Sequence, residues 1–104
     1  MKQSVYVYFA LLIGCTSLSA DVKVARIFSS NMVLQRDAAL PIWGSARPGE
    51  TVTVSIAGQN VSTVATPRGE WKLNLKPLAL SHTGQTMTIT GSSTTHLKNI
   101  LVGD

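Results

Sequence analysis

From residue 21 onward, apolar and polar positions alternate with a period of two, and no stretch sustains a 3.6-residue period. That pattern predicts strands and no long amphipathic helix. The clearest strand is 50–57, where Val52, Val54 and Ile56 alternate with Thr51, Thr53 and Ser55. Gly58-Gln59 reads as a two-residue turn with Gly first, leading into 60–66, a weaker strand through Val61 and Val64 whose imperfect alternation leaves room for a bulge. Pro67-Arg68-Gly69 is a turn signal, after which 70–76 puts Trp71, Leu73 and Leu75 on one face and Lys72, Asn74 and Lys76 on the other. Pro77 stops that strand, 78–84 reads as a loop, and 85–90 turns Met87 and Ile89 inward. A polar turn at 91–94 precedes a final strand over 96–102. Upstream, 22–28 begins as an edge-like strand, and 31–35 and 40–46 give two more, with Pro41 a poor start for a central strand. Arg47-Pro48-Gly49-Glu50 has the residue preferences of a type II turn. Seven to eight short strands between turn residues predict an all-β fold, a small β-sandwich. Its expected core is Val33, Ile42, Trp43, Val52, Val54, Ile56, Trp71, Leu73, Leu75, Met87 and Ile89.

The last strand departs from the pattern. Ile100, Leu101 and Val102 are apolar in succession, so both of its faces call for burial, whereas a strand solvated on one side alternates. Ending at Gly103-Asp104, it reads as a chain cut at a junction.

Residues 1–20 form a different segment, read as a signal peptide. Met1-Lys2 is a minimal positive start, and Val5 to Ile13 is an apolar run of nine residues, long enough for a signal-peptide core and too short to span a bilayer. Small residues follow, and cleavage is expected between Ser19 and Asp21. Cys15 lies in Leu12-Ile13-Gly14-Cys15, which resembles the bacterial lipoprotein signal, in which the cysteine is lipidated. The alternative is that Cys15 is a small apolar residue of a discarded leader. The expected location is the periplasm, the outside of the cell, or the outer membrane of a bacterium, with at most a lipid anchor to the membrane. Residues 21–104 form one small domain without a cysteine, so no internal disulfide is available.

Composition then narrows the function. Hydrophobic residues make up 44% of the 104, and residues 21–104 carry a net charge of +3 once Lys2 is set aside from the total of +4. The basic residues Lys23, Arg26, Arg36, Arg47, Arg68, Lys72, Lys76 and Lys98 stand singly, which argues against nucleic acid as a partner.

Five blocks in order carry a specific resemblance: Asn31-Met32-Val33-Leu34-Gln35-Arg36-Asp37, Pro41-Ile42-Trp43-Gly44, Pro48-Gly49-Glu50, Gly69-Glu70-Trp71, and Leu97-Lys98-Asn99-Ile100-Leu101-Val102-Gly103-Asp104. Over about residues 22–104 the chain resembles the N-terminal region of the sialate O-acetylesterases. The resemblance implies an exported enzyme that removes acetyl groups from sugar hydroxyls, built as an N-terminal β-sandwich followed by an SGNH-type hydrolase domain. It also implies that the nucleophilic serine belongs to a Gly-Gln-Ser-Asn block a few residues beyond Val102-Gly103-Asp104, so the partners expected here are that downstream domain and, in the parent, an acetylated sugar.

No catalytic residue is assigned within the chain. Ester hydrolysis by serine needs a Ser, a His to activate it and donors for the oxyanion. Gly84-Gln85-Thr86-Met87 echoes the nucleophile block but has Thr where Ser belongs and leads into a strand. His82 reads as solvated and His96 as an edge or interface residue. Asp37, Glu50, Glu70 and Asp104 show no acid–base spacing, and two isolated histidines give no metal set, so neither metal nor cofactor is expected. Trp43 and Trp71 could stack on sugars, but their apolar neighbours assign both to the core. The leading reading is therefore a catalytically inert β-sandwich portion of a carbohydrate esterase. The alternatives are a stand-alone carbohydrate-binding or adhesive surface module and, last, an intact esterase using His96 or Thr86.

Overall fold

The computed structural model describes residues 21–104, so the expected leader and Cys15 lie outside the described residues. Eight strands form two sheets, and no helix occurs among the described residues. They are β1 (Lys23–Val24), β2 (Val33–Gln35), β3 (Leu40–Ser45), β4 (Thr51–Ile56), β5 (Gln59–Val64), β6 (Glu70–Leu75), β7 (Ser81–Thr90) and β8 (Thr94–Gly103). One sheet has the order β1-β3-β6 and the other β2-β8-β7-β4-β5.

Alternation placed β4 and β6 correctly. Val52, Val54 and Ile56 of β4 and Trp71, Leu73 and Leu75 of β6 are buried, and meet Ile42, Met87, Ile89, Ile100 and Val102 in one core. No polar or charged side chain is buried among the described residues. Two expected core residues lie outside. Val33 is 58% exposed while Leu34 is buried, and Trp43 is 40% exposed while Ile42 is fully buried. Each pair is adjacent in a strand, so only one member can face inward, and the neighbouring strand decides which.

Four further differences concern strands and turns. β4 and β5 pair without interruption from Thr51↔Val64 to Ile56↔Gln59, so there is no bulge in β5. The connecting turn is Ala57-Gly58, one residue earlier than expected, with φ of 50° and 83°. Both centre residues are thus left-handed, as in the type I′ turn that matches strand twist. The irregularities fall between β7 and β8, where the register shifts between Ser81 and Gln85 and again between Gln85 and Met87. Consequently residues 81–84, expected as a loop, belong to β7. Pro41 sits in the central strand β3, yet it removes no ladder bond. The Trp43 carbonyl accepts from the Ala25 N–H on the β1 side, and Pro41, two residues earlier, presents its nitrogen to that same side, where β1 pairs only with Gly44 and Ser45.

β8 lies inside its sheet, between β7 and β2. β2 is parallel to it, with Val33↔Leu101, Leu34↔Val102 and Gln35↔Gly103. The apolar run is thereby resolved: Ile100 and Val102 face the core, and Leu101 is half-buried beside Val33 on the outer face. Ahead of this pairing, Asn31 and Asn99 both adopt positive φ, 69° and 57°. Asn tolerates that region better than most residues. The Asn99 amide donates to Asn31 Oδ1 at 2.8 Å, and the Asn31 N–H donates to the Lys98 carbonyl at 2.9 Å.

The predicted type II turn is present, the Glu50 N–H donating to the Arg47 carbonyl at 3.0 Å. The Glu50 carboxylate accepts from the Arg47 N–H at 3.0 Å and also from the Ser92 N–H, joining this turn to the β7–β8 turn. Desolvation pushes its pKa up, but the hydrogen bonds from Arg47 and Ser92 and the Arg47 charge together outweigh it and hold the carboxyl below the usual value.

Two predictions follow from these contacts. Trp71→Ala should destabilise the fold by about 3–5 kcal/mol in urea unfolding, and Val33→Thr should change it by less than about 0.5 kcal/mol. Because the folded pKa of Glu50 is depressed, its contribution is present above the unfolded carboxylate pKa and is lost as pH falls through the folded one. Melting temperature should therefore decline on acidification through that range, and Glu50→Gln should remove this part of the decline.

Candidate functional site

β5 and β6 belong to different sheets and are tied to one another at both ends. At one end the Gln59 side chain accepts from the Lys76 N–H and donates to the Lys76 carbonyl, each at 2.9 Å. At the other, the Thr66 N–H donates to the Glu70 carbonyl at 2.8 Å, and Thr66 Oγ1 accepts from the N–H groups of Arg68 and Glu70. Between the two ties lies an open cleft of about 650 Å³.

Strand parity sets its lining. On β6 the inward set Trp71, Leu73 and Leu75 leaves Glu70 and Lys72 outside. On β3, Ile42 faces in and Trp43 out, directly across the ladder from Lys72. On β5, parity puts Val61 and Thr63 on the core side, with Val61 packed against the core, and Val64, 59% exposed, on the opposite side; Thr63 and Thr66 supply the hydroxyls of the far wall. The Trp43 indole is held by Phe28, with ring centroids 4.8 Å apart and planes at 79°. The side chains of Glu70 and Lys72 bring one negative and one positive charge, so the wall is balanced. Such a surface offers an apolar ring face, hydroxyls and a single donor–acceptor pair of charges. It holds no nucleophile with a base beside it.

Apart from Glu70, the titratable residues noted in the sequence stand elsewhere. His96 lies on the exposed face of β8 with Nδ1 3.2 Å from Thr88 Oγ1 on β7. His82 is exposed in the first half of β7, and Thr86 is exposed on the same strand. Gln85 donates to Ser81 Oγ at 3.1 Å and to the Thr83 carbonyl at 3.3 Å. Asn60 accepts from Ser55 Oγ at 2.6 Å. Glu50 serves the turns described above, and Glu70 lines the cleft. Among the described residues, no three of His, Cys, Asp and Glu gather as metal ligands would.

Asp37 and Asp104, unrelated by spacing, are brought together on one cation: Arg36 Nε lies 3.4 Å from Asp37 and 3.1 Å from Asp104. Parallel pairing of β2 with β8 does this, and the Arg36 N–H extends it by donating to the Gly103 carbonyl at 2.9 Å. Alternation carries no signal for a parallel pair of strands so distant in sequence. The cleft was missed for a narrower reason, the assignment of Trp43 to the core.

No protein-family model and no curated protein matches the chain. A solved structure does: a carbohydrate acetylesterase from Xanthomonas citri superposes with a TM-score of 0.77 at 27% identity, covering 81% of this chain. The chain spans 19% of the length of that protein. The sandwich is thus similar to part of a carbohydrate acetylesterase.

The cleft geometry makes a direct prediction for fluorescence. Trp43 should supply the emission that acrylamide quenches, and the Trp43→Phe variant, left with buried Trp71, should emit further to the blue and resist quenching.

Proposed function

We propose that residues 21–104 are the amino-terminal β-domain of an exported bacterial carbohydrate esterase of the sialate O-acetylesterase kind, whose complete form removes O-acetyl groups from sialic acids or related sugars. The observation that carries this reading is the likeness to a carbohydrate acetylesterase over most of this chain and a small part of the other. The blocks around Asn31 and Asn99 support the narrower reading through their sequence resemblance alone.

Acetyl transfer from a sugar requires a serine hydroxyl that loses its proton to a histidine while attacking the ester carbonyl, donors that hold the resulting oxyanion, return of that proton to the sugar oxygen as its bond to the acyl carbon breaks, and water, deprotonated by the same histidine, to release acetate from the acyl-enzyme. In this reading those groups belong to the hydrolase domain that follows Asp104. The sandwich braces that domain, with β8 fixed between two strands and Asp104 held by Arg36. Residues 1–20 direct export, with Cys15 the candidate for lipidation.

Two measurements test the proposal. The coding sequence beyond Asp104 should continue in frame into a Gly-Gln-Ser-Asn block. The chain by itself should show no hydrolysis of acetylated sugars or p-nitrophenyl acetate above buffer, and the extended protein should hydrolyse them until that serine is changed to Ala. Turnover by the chain alone that disappears in His96→Ala would overturn it.

A further inference from the structure

We propose that the Trp43 cleft is a binding site for a neutral glycan chain. The inference does not depend on the esterase reading, since every residue it uses lies between Phe28 and Lys76.

Among the described residues Trp43 is the one aromatic counted among the large exposed apolar side chains. Leaving 40% of an indole in water forgoes hydrophobic stabilisation that an inward placement would supply, and Phe28 holds the ring in a fixed plane instead of covering it. A rigid, half-open indole at the wall of a cleft is a stacking platform. The cleft volume of about 650 Å³ falls within the ~300–1,000 Å³ typical of ligand sites.

The chemistry around the ring selects the occupant. A sugar ring has an apolar C–H face and equatorial hydroxyls, each both donor and acceptor. Trp43 meets the first requirement; the hydroxyls of Thr63 and Thr66, the Lys72 ammonium and the Glu70 carboxylate meet the second. Charges of both signs, one each, favour a neutral glycan over a polyanion, which would meet the carboxylate without a surplus of cations. A protein partner would call for a wider apolar core depleted of charge, whereas this indole has Lys72 directly across the ladder. The tie at Gln59–Lys76 and the one at Thr66–Glu70 hold both walls in place before binding, which lowers the cost of ordering them.

The experiment is an NMR titration of the two indole N–H resonances with cellopentaose, xylopentaose, mannopentaose and chitopentaose, and with a heparin oligosaccharide as the charged control. At least one neutral pentasaccharide should move the Trp43 resonance saturably and leave that of Trp71 in place. Trp43→Ala should weaken binding by about thirtyfold, as expected of a central aromatic anchor. Because that change could disturb β3, Lys72→Ala provides a second reading: it should weaken binding severalfold with the melting temperature unchanged. The proposal fails if no neutral pentasaccharide moves the Trp43 resonance, if binding survives Trp43→Ala, or if heparin binds as well as the neutral chains. It also fails if polypeptide in a longer native protein shields Trp43 from acrylamide, which would make the cleft a domain contact. Esterase activity enters none of these outcomes, so failure here leaves the catalytic proposal standing, and the reverse holds.

Discussion

Trp71 enters the core only because Gly44 stands opposite it. The two are ladder partners on β6 and β3, and the indole N–H donates to the carbonyls of Lys23 at 3.2 Å and Ser45 at 3.0 Å. A Cβ at position 44 would come within 2.0 Å of that Lys23 oxygen, so any larger residue would displace the acceptor that Trp71 uses. Burying a whole indole contributes several kcal/mol only when its N–H is satisfied, since an unpaired buried donor costs about 1–3 kcal/mol. One side chain therefore links β1, β3 and β6, and its slot sets the parity of the three-stranded sheet. With Gly44 and Trp71 inside, Ile42 and Leu73 follow, and Trp43 and Lys72 must lie outside.

The outer surface is a consequence of that choice. The same alternation that buries Ile42 exposes Trp43, and the ties between β5 and β6 bring Thr63 and Thr66 to the same cleft. The sandwich closes without disulfides between its strands, since residues 21–104 contain no cysteine. Its sheets are joined instead by side chain–backbone bonds at their margins: Gln59 to Lys76, the Val22 N–H to Ser93 Oγ, and the Glu70 N–H to Thr66 Oγ1.

Much of this was legible in the sequence where alternation is clean. Thr51–Ile56 and Glu70–Leu75 announce both their strands and their inward faces, and the Pro48-Gly49 turn appears where its residue types place it. Legibility fails where apolar residues are adjacent. Val33-Leu34, Ile42-Trp43 and Ile100-Leu101-Val102 carry no parity of their own, and a one-residue slip exchanges the faces. The parallel β2–β8 pair was equally silent, because nothing local marks a partner nearly seventy residues away. The cleft follows from the same gap: its polar lining was visible as an outward face, but its platform was read as core.

The two candidate functions occupy opposite margins of the five-stranded sheet, whose order runs from β2 to β5. The Arg36–Asp104 pair lies at the β2 margin, where β8 ends, while the cleft opens at the β5 margin. A glycan held on Trp43 would therefore leave the β8 terminus unobstructed. Rigidity connects the two ends: β8, β7 and β4 form a continuous ladder between them, interrupted only at the shifts near Gln85. A sheet so paired cannot bend freely, so the distance between a bound sugar chain and anything fixed to β8 would be set by the fold.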